Sequence, residues 1–360
     1  MMETMKDMTL RAGSSAAAQV ASQAASQAAE PDELDELDRA IVQALMIDGR
    51  VAFSRLAEVL EVSDQTVVRR YRRMRTAGLL RVVGLPLGHR VGLFESWLRV
   101  SCVPDAAVPM ATALARRPDI SWVTLNSGGT EIHCITKART REDRDALLLQ
   151  KLPGTRRVTA VSAHSILRTF IGGPGRWGGL DVLTGRQVAA LERPAPPASG
   201  ERVRLDEAEL AILAVLAREG RSGSPELARA AGLSESTARR RLEQLRDRGV
   251  LYFDVEIDPV LFGFQAQAVL LATVAPADLA AAGAAIGQHR EVPFAAAITG
   301  SANLLAVVIC RDTDALYEYL TERIGALEAV RQAELVPVIR TVKRAGMLMD
   351  GSRLVDPPPE

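Results

Sequence analysis

Residues 34–80, LDELDRAIVQALMIDGRVAFSRLAEVLEVSDQTVVRRYRRMRTAGLL, return as residues 205–251, LDEAELAILAVLAREGRSGSPELARAAGLSESTARRRLEQLRDRGVL, at a constant offset of 205 − 34 = 171 with no gap. Roughly a third of the aligned positions are identical and most others keep their polar or apolar character, so one local structure is specified twice. In the first copy Leu37, Ile41, Val42 and Leu45 fall on one stripe of a helix over 35–47, which Gly49 closes. A short helix follows over 54–60, with Leu56, Ala57 and Leu60 apolar. Ser63 is a good N-cap, and Asp64 puts an acid in the first turn of a third helix that runs to about Ala77 and stops at Gly78. Val67, Tyr71 and Met74 form its inward stripe. In the second copy Ile212, Leu213 and Leu216 precede Gly220, and Ser224-Pro225 opens a helix bearing Leu227 and Ala228. Ser234-Glu235 then caps a helix with Ala238, Leu242 and Leu245 inward. Three short helices with a tight turn between the second and third make a helix-turn-helix.

Behind each unit the periodicity changes. Phe94–Cys102 reads as a strand, Ala106–Arg117 as a helix, and Ser121–Asn126 and Ile132–Thr136 as strands around the turn Ser127-Gly128-Gly129-Thr130. Thr140-Arg141-Glu142-Asp143 opens a helix to about Leu152, and Arg156–Thr169 is a last strand. The second half repeats this as strand Gln265–Thr273, helix 276–289, strand Val292–Thr299, turn Gly300-Ser301-Ala302-Asn303, strand Leu304–Cys310, helix 313–324 and strand 330–342. The order βαββαβ predicts a ferredoxin-like layer of helices on an antiparallel sheet. Its uncovered face needs a partner sheet, from a second chain or from the other half. Between the halves, 171–204 reads as a linker around a short helix near 185–193, with Arg176-Trp177 as a possible anchor.

The predicted fold class is therefore α+β: two winged-helix-like helix-turn-helix domains (34–85 and 205–257) alternating with two ferredoxin-like βαββαβ domains (90–170 and 264–345). A disordered leader is expected over 1–33 and a disordered tail over 346–360. With 360 residues and 48% apolar content the chain can bury several cores, and no run of about 18 uncharged apolar residues is present to span a membrane. Cys102, Cys134 and Cys310 lie far apart in apolar runs, so they read as core residues of a reducing cytoplasm, with no disulfide framework, metal site or cofactor indicated.

Forty-four basic residues balance forty-four acidic ones, yet the basic residues are not evenly spread. From Ser63 to Arg81 six arginines (69, 70, 72, 73, 75 and 81) stand against Asp64 alone. From Ser234 to Leu251 five (239, 240, 241, 246 and 248) stand against Glu235, Glu243 and Asp247. A local basic helix, not the whole-chain sum, is what phosphate binding requires. Ser63, Gln65 and Thr66 lie at the end of the third helix that reaches base edges when such a helix enters the major groove of double-stranded DNA. Gln65 suits adenine, Arg69 or Arg70 suits guanine, and Arg72, Arg73 and Arg75 suit phosphates. The second copy offers Ser234, Ser236, Thr237, Arg239, Arg240 and Arg241.

The opening Leu-Asp-x-x-Asp-Arg-x-Ile at 34–41, Asp48-Gly49-Arg50, Leu56-Ala57, Ser63 through Gly78, and the βαββαβ module with its glycine turn resemble the leucine-responsive/asparagine-regulatory (Lrp/AsnC) family of transcription regulators. The resemblance covers 34–169 and 205–343, a tandem form. It implies a non-enzymatic homo-oligomer whose βαββαβ modules bind a small effector, often an amino acid, near the glycine turn. By position the effector elements would be Ser127, Gly128, Gly129, Thr130 and Glu131, and Thr299, Gly300, Ser301, Ala302 and Asn303. The family often places an acid three residues after the glycine, which Glu131 matches and Asn303 does not. Siroheme decarboxylases of the haem pathway are similar to these regulators and tend to carry Val-Thr-His-Asn before the hairpin. Here Val123-Thr124-Leu125-Asn126 has leucine at that place, the second half has alanines at 295–297, and His89, His133, His164 and His289 show no repeated spacing. The expectation is thus a regulator, with the enzyme and a non-binding scaffold as alternatives.

Overall fold

The Asp35 side chain accepts a hydrogen bond from the Asp38 amide and the Asp38 side chain accepts one from the Asp35 amide; this capping box starts α1 (Glu36–Ile47) in the computed structural model, which describes residues 34–151, 157–172, 177–193 and 201–356. The leader expected at 1–33 lies outside the described residues. After α2 (Phe53–Leu60) the chain turns through Glu61, at φ 57°, into α3 (Asp64–Thr76), whose cap is Ser63. Ile41, Leu45, Leu56, Val67 and Met74 are fully buried where the three helices meet. Gly78, at φ +72°, releases the chain into β1 (Leu80–Pro86).

The first βαββαβ module follows as β2 (Phe94–Cys102), α4 (Ala107–Ala115), β3 (Ile120–Asn126), β4 (Glu131–Ala138), α5 (Arg141–Asp145) continued by a π-helical turn over Ala146–Lys151, and β5 (Val158–Ile171). The linker holds α6 (Gly185–Leu191), docked on the first helical unit by Gln43, which accepts the amides of Val182 and Leu183, and by Gln187, which donates to the Val59 carbonyl. Trp177 packs on Phe262 and Phe264 of the second half, with ring centroids 6.0 and 4.9 Å away; Arg176 is outside the described residues.

The second half repeats the plan with α7 (Glu207–Arg218), α8 (Ser224–Ala231), α9 (Glu235–Asp247), β6 (Leu251–Ile257), β7 (Ala266–Val274), α10 (Leu279–Ile286), β8 (Phe294–Ile298), β9 (Leu304–Cys310), α11 (Thr313–Glu318) with a π-helical turn over Tyr319–Ile324, and β10 (Val330–Arg344). One expectation is corrected at the end of the chain. Residues 346–356 are not a disordered tail: β11 (Met347–Asp350) pairs with β10, and β12 (Arg353–Val355) pairs with β11. The Leu354 amide donates to the Gly78 carbonyl and Asp356 pairs with Arg81, which ties this hairpin to the first helical unit.

The two sheets satisfy each other. β5 pairs with β2 through 158–165 and crosses to pair with β8 through 166–171, while β10 pairs with β7 through 330–337 and crosses to β3 through 338–343. The order β10-β3-β4-β2-β5-β8-β9-β7 therefore closes on itself as an eight-stranded barrel. Each helix layer covers its own sheet from outside, around Leu98, Ile120 and Ile132 in one module and Leu270, Leu304 and Val308 in the other. The inner faces meet around Trp97, Leu271, Ile298 and Val336. The apolar face that called for a partner sheet is covered within one chain.

Candidate nucleic-acid interface

The Ser63 hydroxyl accepts the Thr66 amide at 3.2 Å and fixes the first turn of α3, with Ser63 and Gln65 exposed and Thr66 half-buried. Arg69, Arg72 and Arg73 are exposed beyond it. Arg70 turns the other way, to Asp35 and to the fully buried Asp38, and Arg73 shares Asp38. In α9 the Ser234 hydroxyl accepts the Thr237 amide at 3.3 Å, and Ser236, Arg239 and Arg240 are exposed. Arg241 repeats the role of Arg70 by pairing with Asp206. That hydrogen bond, followed by the one from the Glu209 amide, holds the Asp206 carboxyl below its ordinary range. The sequence reading assigned Arg70 and Arg241 to DNA; in the structure both guanidinium groups are engaged by the N-cap of their own first helix. The arginines presented outward are Arg69, Arg72 and Arg73 on α3 and Arg239 and Arg240 on α9.

The two units are held as an exchanged pair. β1 and β6 form an antiparallel ribbon with Leu80 opposite Ile257 and Pro86 opposite Leu251. Arg50 donates to the carbonyls of Gly220 and Ser222 at 2.6 and 3.0 Å; its equivalent, Arg221, donates to those of Gly49 and Val51 at 2.6 and 2.9 Å. Arg75, which the sequence reading assigned to a phosphate, pairs instead with Glu219 at 2.5 Å, and Arg246 pairs with Asp48 at 2.8 Å. Adding 171 to Asp48, Arg50 and Arg75 gives Glu219, Arg221 and Arg246, so each contact occurs twice about a pseudo-twofold axis. Glycine is needed at the crossing: a Cβ on Gly220 would stand 2.9 Å from the Val82 carbonyl oxygen, and one on Gly49 2.8 Å from the Phe253 Cβ. The clamp was not foreseen, although the repeated Gly-Arg pairs, Gly49-Arg50 and Gly220-Arg221, were its visible sign.

The two hairpin turns differ. In the first, Ser127, Gly128 and Gly129 all have positive φ, and Thr130 donates to the Ser127 carbonyl. Glu131 accepts from Ser127 at 3.1 Å and from Arg99 at 2.9 Å, and Arg99 reaches on to Glu334 of the other module at 3.1 Å. Despite partial burial, those bonds hold the Glu131 carboxyl below its ordinary value. In the second turn the Asn303 amide is used on both backbone groups of Val274, at 2.9 and 2.8 Å. Thr299 is held by the Ser165 amide and by His164 Nδ1, a Cβ on Gly300 would strike that imidazole, and the Ser301 carbonyl accepts from Thr273; Ala302 packs on the barrel interior.

Inside the barrel His133 and His164 lie against Trp97, with ring centroids 4.9 and 5.3 Å away, a meeting their sequence spacing did not reveal. Burial lowers the His133 pKa to about 4, so its imidazole is neutral. A cavity of about 310 Å³ extends from the ribbon into the barrel past His133. The three cysteines are buried and unpaired, and burial pushes Cys134 up to about 12. Among the described residues no cluster of His, Cys, Asp or Glu is arranged to hold a metal ion, and no helix is long and apolar enough to cross a membrane.

Comparison with known proteins agrees with this architecture. Residues 34–75 match the AsnC-type helix-turn-helix domain, residues 205–252 a winged helix-turn-helix DNA-binding domain, and residues 267–348 the Lrp/AsnC ligand-binding domain. The chain is 28% identical over 151 residues to the HTH-type transcriptional regulator Ptr1 of Methanocaldococcus jannaschii, covering 42% of this chain and 98% of that protein. It is 27% identical over 143 residues to the regulator FL11 of Pyrococcus horikoshii, covering 39% of this chain and 94% of the relative. Along both halves together its fold is similar to the crystal structure of the siroheme decarboxylase NirDL, with TM-score 0.56, 15% identity, and 86% and 93% of the two chains covered. The protein is a tandem helix-turn-helix protein built on a closed βαββαβ pair. Its first helix-turn-helix and its second βαββαβ module match domains of the Lrp/AsnC family of transcriptional regulators.

Proposed function

We propose that this regulator grips one DNA duplex with α3 and α9 of the same chain. Gln65, Thr66, Ser236 and Thr237 would address base edges, with Ser63, Ser234, Arg69, Arg72, Arg239 and Arg240 on phosphates. The observation that carries this reading is the pseudo-twofold clamp: it fixes two exposed basic helices in one unit, as a two-part operator requires. The protein would work in the cytoplasm, where its cysteines stay reduced. The effector site best supported is the Ser127–Glu131 turn, where Arg99, Glu131 and Glu334 link the two modules and an amino acid could exchange with their ion pairs. The second turn spends its polar groups on its own backbone and is read as structural. Since the sheets pair in cis, further copies would join through the outer barrel surface, where Leu167 and Ile339 are exposed. Fluorescence anisotropy on the chain's own upstream DNA tests the proposal: Arg69→Ala and Arg240→Ala should each weaken binding at least fivefold. Full affinity in the double variant would remove both helices from the interface.

A second reading, siroheme decarboxylation, draws on the shared two-half layout and on the buried His133. The cavity's charge weighs against it, because Glu95, Asp254 and Glu256 line the space a polycarboxylate would enter. Incubation with siroheme followed by mass analysis for lost carboxyl groups separates the two.

A further inference from the structure

The cavity between the ribbon and the barrel has two unlike walls, although the sequence that builds it is a duplication. β2 and β7 begin at Phe94 and Ala266, so the modules align at 266 − 94 = 172. On that alignment Glu95 corresponds to Gln267, His133 to Leu305 and Lys137 to Ile309, and all six line the cavity. On the ribbon Asp254 and Glu256 of β6 line it, whereas their equivalents at the 171 offset, Val83 and Leu85, do not. One wall is charged, and the other, with Val269, Leu305, Val307 and Ile309, is apolar. A dimer of identical chains would have to repeat each wall; only a fused pair can hold this arrangement once.

The charges do not cancel. Glu95 stands 3.8 Å from Lys137, and Glu256 is paired with Arg344 at 3.3 Å. Asp254 accepts the neighbouring Val255 amide at 2.9 Å and has no cation within ion-pair distance among the described residues. Burial, then the adjacent Glu256, pushes its pKa up to about 7. His133 is only 3% exposed and neither of its ring nitrogens makes a hydrogen bond; the nearest group, the Glu131 carboxylate, is 3.4 Å from Nε2. Buried polar groups ordinarily have partners, so an unpaired acid on a cavity with an apolar opposite wall points to a molecule that supplies one.

We propose that this cavity binds one small primary amine per chain, its ammonium on the Asp254 carboxylate and its apolar body against Val269, Leu305 and Ile309. A carboxylate-bearing ligand meets three acids against two cations and is disfavoured. The site is separate from the hairpin turn, since none of Ser127–Glu131 lines the cavity.

The test titrates the full chain, without DNA, with phenethylamine, phenethyl alcohol, 3-phenylpropionate and phenylalanine. Calorimetry reads stoichiometry, and fluorescence reads occupancy, because the chain's three tryptophans, Trp97, Trp122 and Trp177, all line the cavity. Phenethylamine should bind once per chain and at least tenfold tighter than the other three. Asp254→Asn should lower its affinity at least tenfold and leave that of the alcohol unchanged. Absence of saturable amine binding at millimolar concentration, two sites per chain, or equal binding of the acid or amino acid would overturn the proposal, as would amine binding indifferent to Asp254→Asn. If that variant does not fold by circular dichroism, the amine-to-alcohol ratio on the unaltered protein decides.

Discussion

The salt dependence of DNA binding can be worked out from which guanidinium groups are already spent. Of the arginines on α3, Arg70 and Arg75 are committed to Asp35, Asp38 and Glu219, and Arg73 shares Asp38. On α9, Arg241 and Arg246 are committed to Asp206 and Asp48. Arg69, Arg72, Arg239 and Arg240 are exposed and form no ion pair among the described residues. If each neutralises one phosphate, the slope of log K against log salt is about −0.9 × 4, or roughly −3.6. Raising salt from about 50 to about 200 mM should then weaken binding about 150-fold. Arg69→Ala, Arg72→Ala, Arg239→Ala and Arg240→Ala should each make the slope shallower by about 0.9, read by anisotropy at five salt concentrations. Arg70→Ala should leave the slope alone and lower stability by about 1 kcal/mol or more, because the buried Asp38 loses one of its cations. The partition of arginines made here is refuted if Arg70→Ala flattens the slope as Arg69→Ala does, or if the four exposed positions leave it unchanged.

Arg221→Ala should destabilise the pair of helical units by about 3 kcal/mol in urea unfolding, since two charge-assisted bonds of about 1.5–3 kcal/mol are lost along with a cation–π contact 4.2 Å from the Phe53 ring centroid. Arg221→Lys should not restore it, because an ammonium lacks the planar fork that serves both carbonyls. Glu61 sits at φ 57°, where its equivalent in the second half is Gly232 at φ +64°, so Glu61→Gly should raise stability by about 0.5–1 kcal/mol, measured as an increase in Tm. Asp254 binds its proton more tightly in the folded chain, at about 7 against 3.8, so stability should fall as pH rises from 3.8 to 7 and level off above. Asp254→Asn should remove that decline and be more stable than the parent at pH 8; identical pH profiles by thermal melting would contradict the burial argument.

Helix ends were legible because they rest on local chemistry: Ser63, Thr140 and Ser234 cap where their side chains predict, and Gly78 terminates where its φ allows. The alternating strands were legible for the same reason, and Leu304–Cys310 is observed with the predicted bounds. β1 was not marked out, because Leu80 to Leu85 are buried on both faces and show no alternation. β11 and β12 were missed because four- and three-residue strands take their shape from β10 and from each other. At the site the cap residues and exposed arginines were read correctly as surface, but the destination of Arg70 and Arg241 was not. Their partners Asp35 and Asp206 lie 35 residues earlier, and a periodicity argument sees only one helix at a time. The cavity was invisible for a related reason: its walls come from strands that meet only when β5 and β10 cross between modules.

Where the two halves have stayed alike and where they have parted follows from what each layer must contact. The clamp keeps every member in duplicate, down to the exchange of Asp48 for the equally acidic Glu219, because its bonds run both ways across the pseudo-axis and losing one member breaks a reciprocal contact. A pair of helices held by such an axis suits DNA, whose backbone offers two antiparallel strands of the same chemistry. The barrel interior faces no symmetric object. Arg99, which joins Glu131 to Glu334, corresponds at the 172 offset to Leu271, and Trp97 corresponds to Val269. Had an arginine been kept at 271 as well, its guanidinium would have had to sit among Val269, Ile298 and Val336, at a cost that pairing repays only with further acids. Covalent fusion lets one module carry the charge and the other the apolar surface, so a single asymmetric small molecule can be held inside a frame that remains twofold on its DNA-facing side.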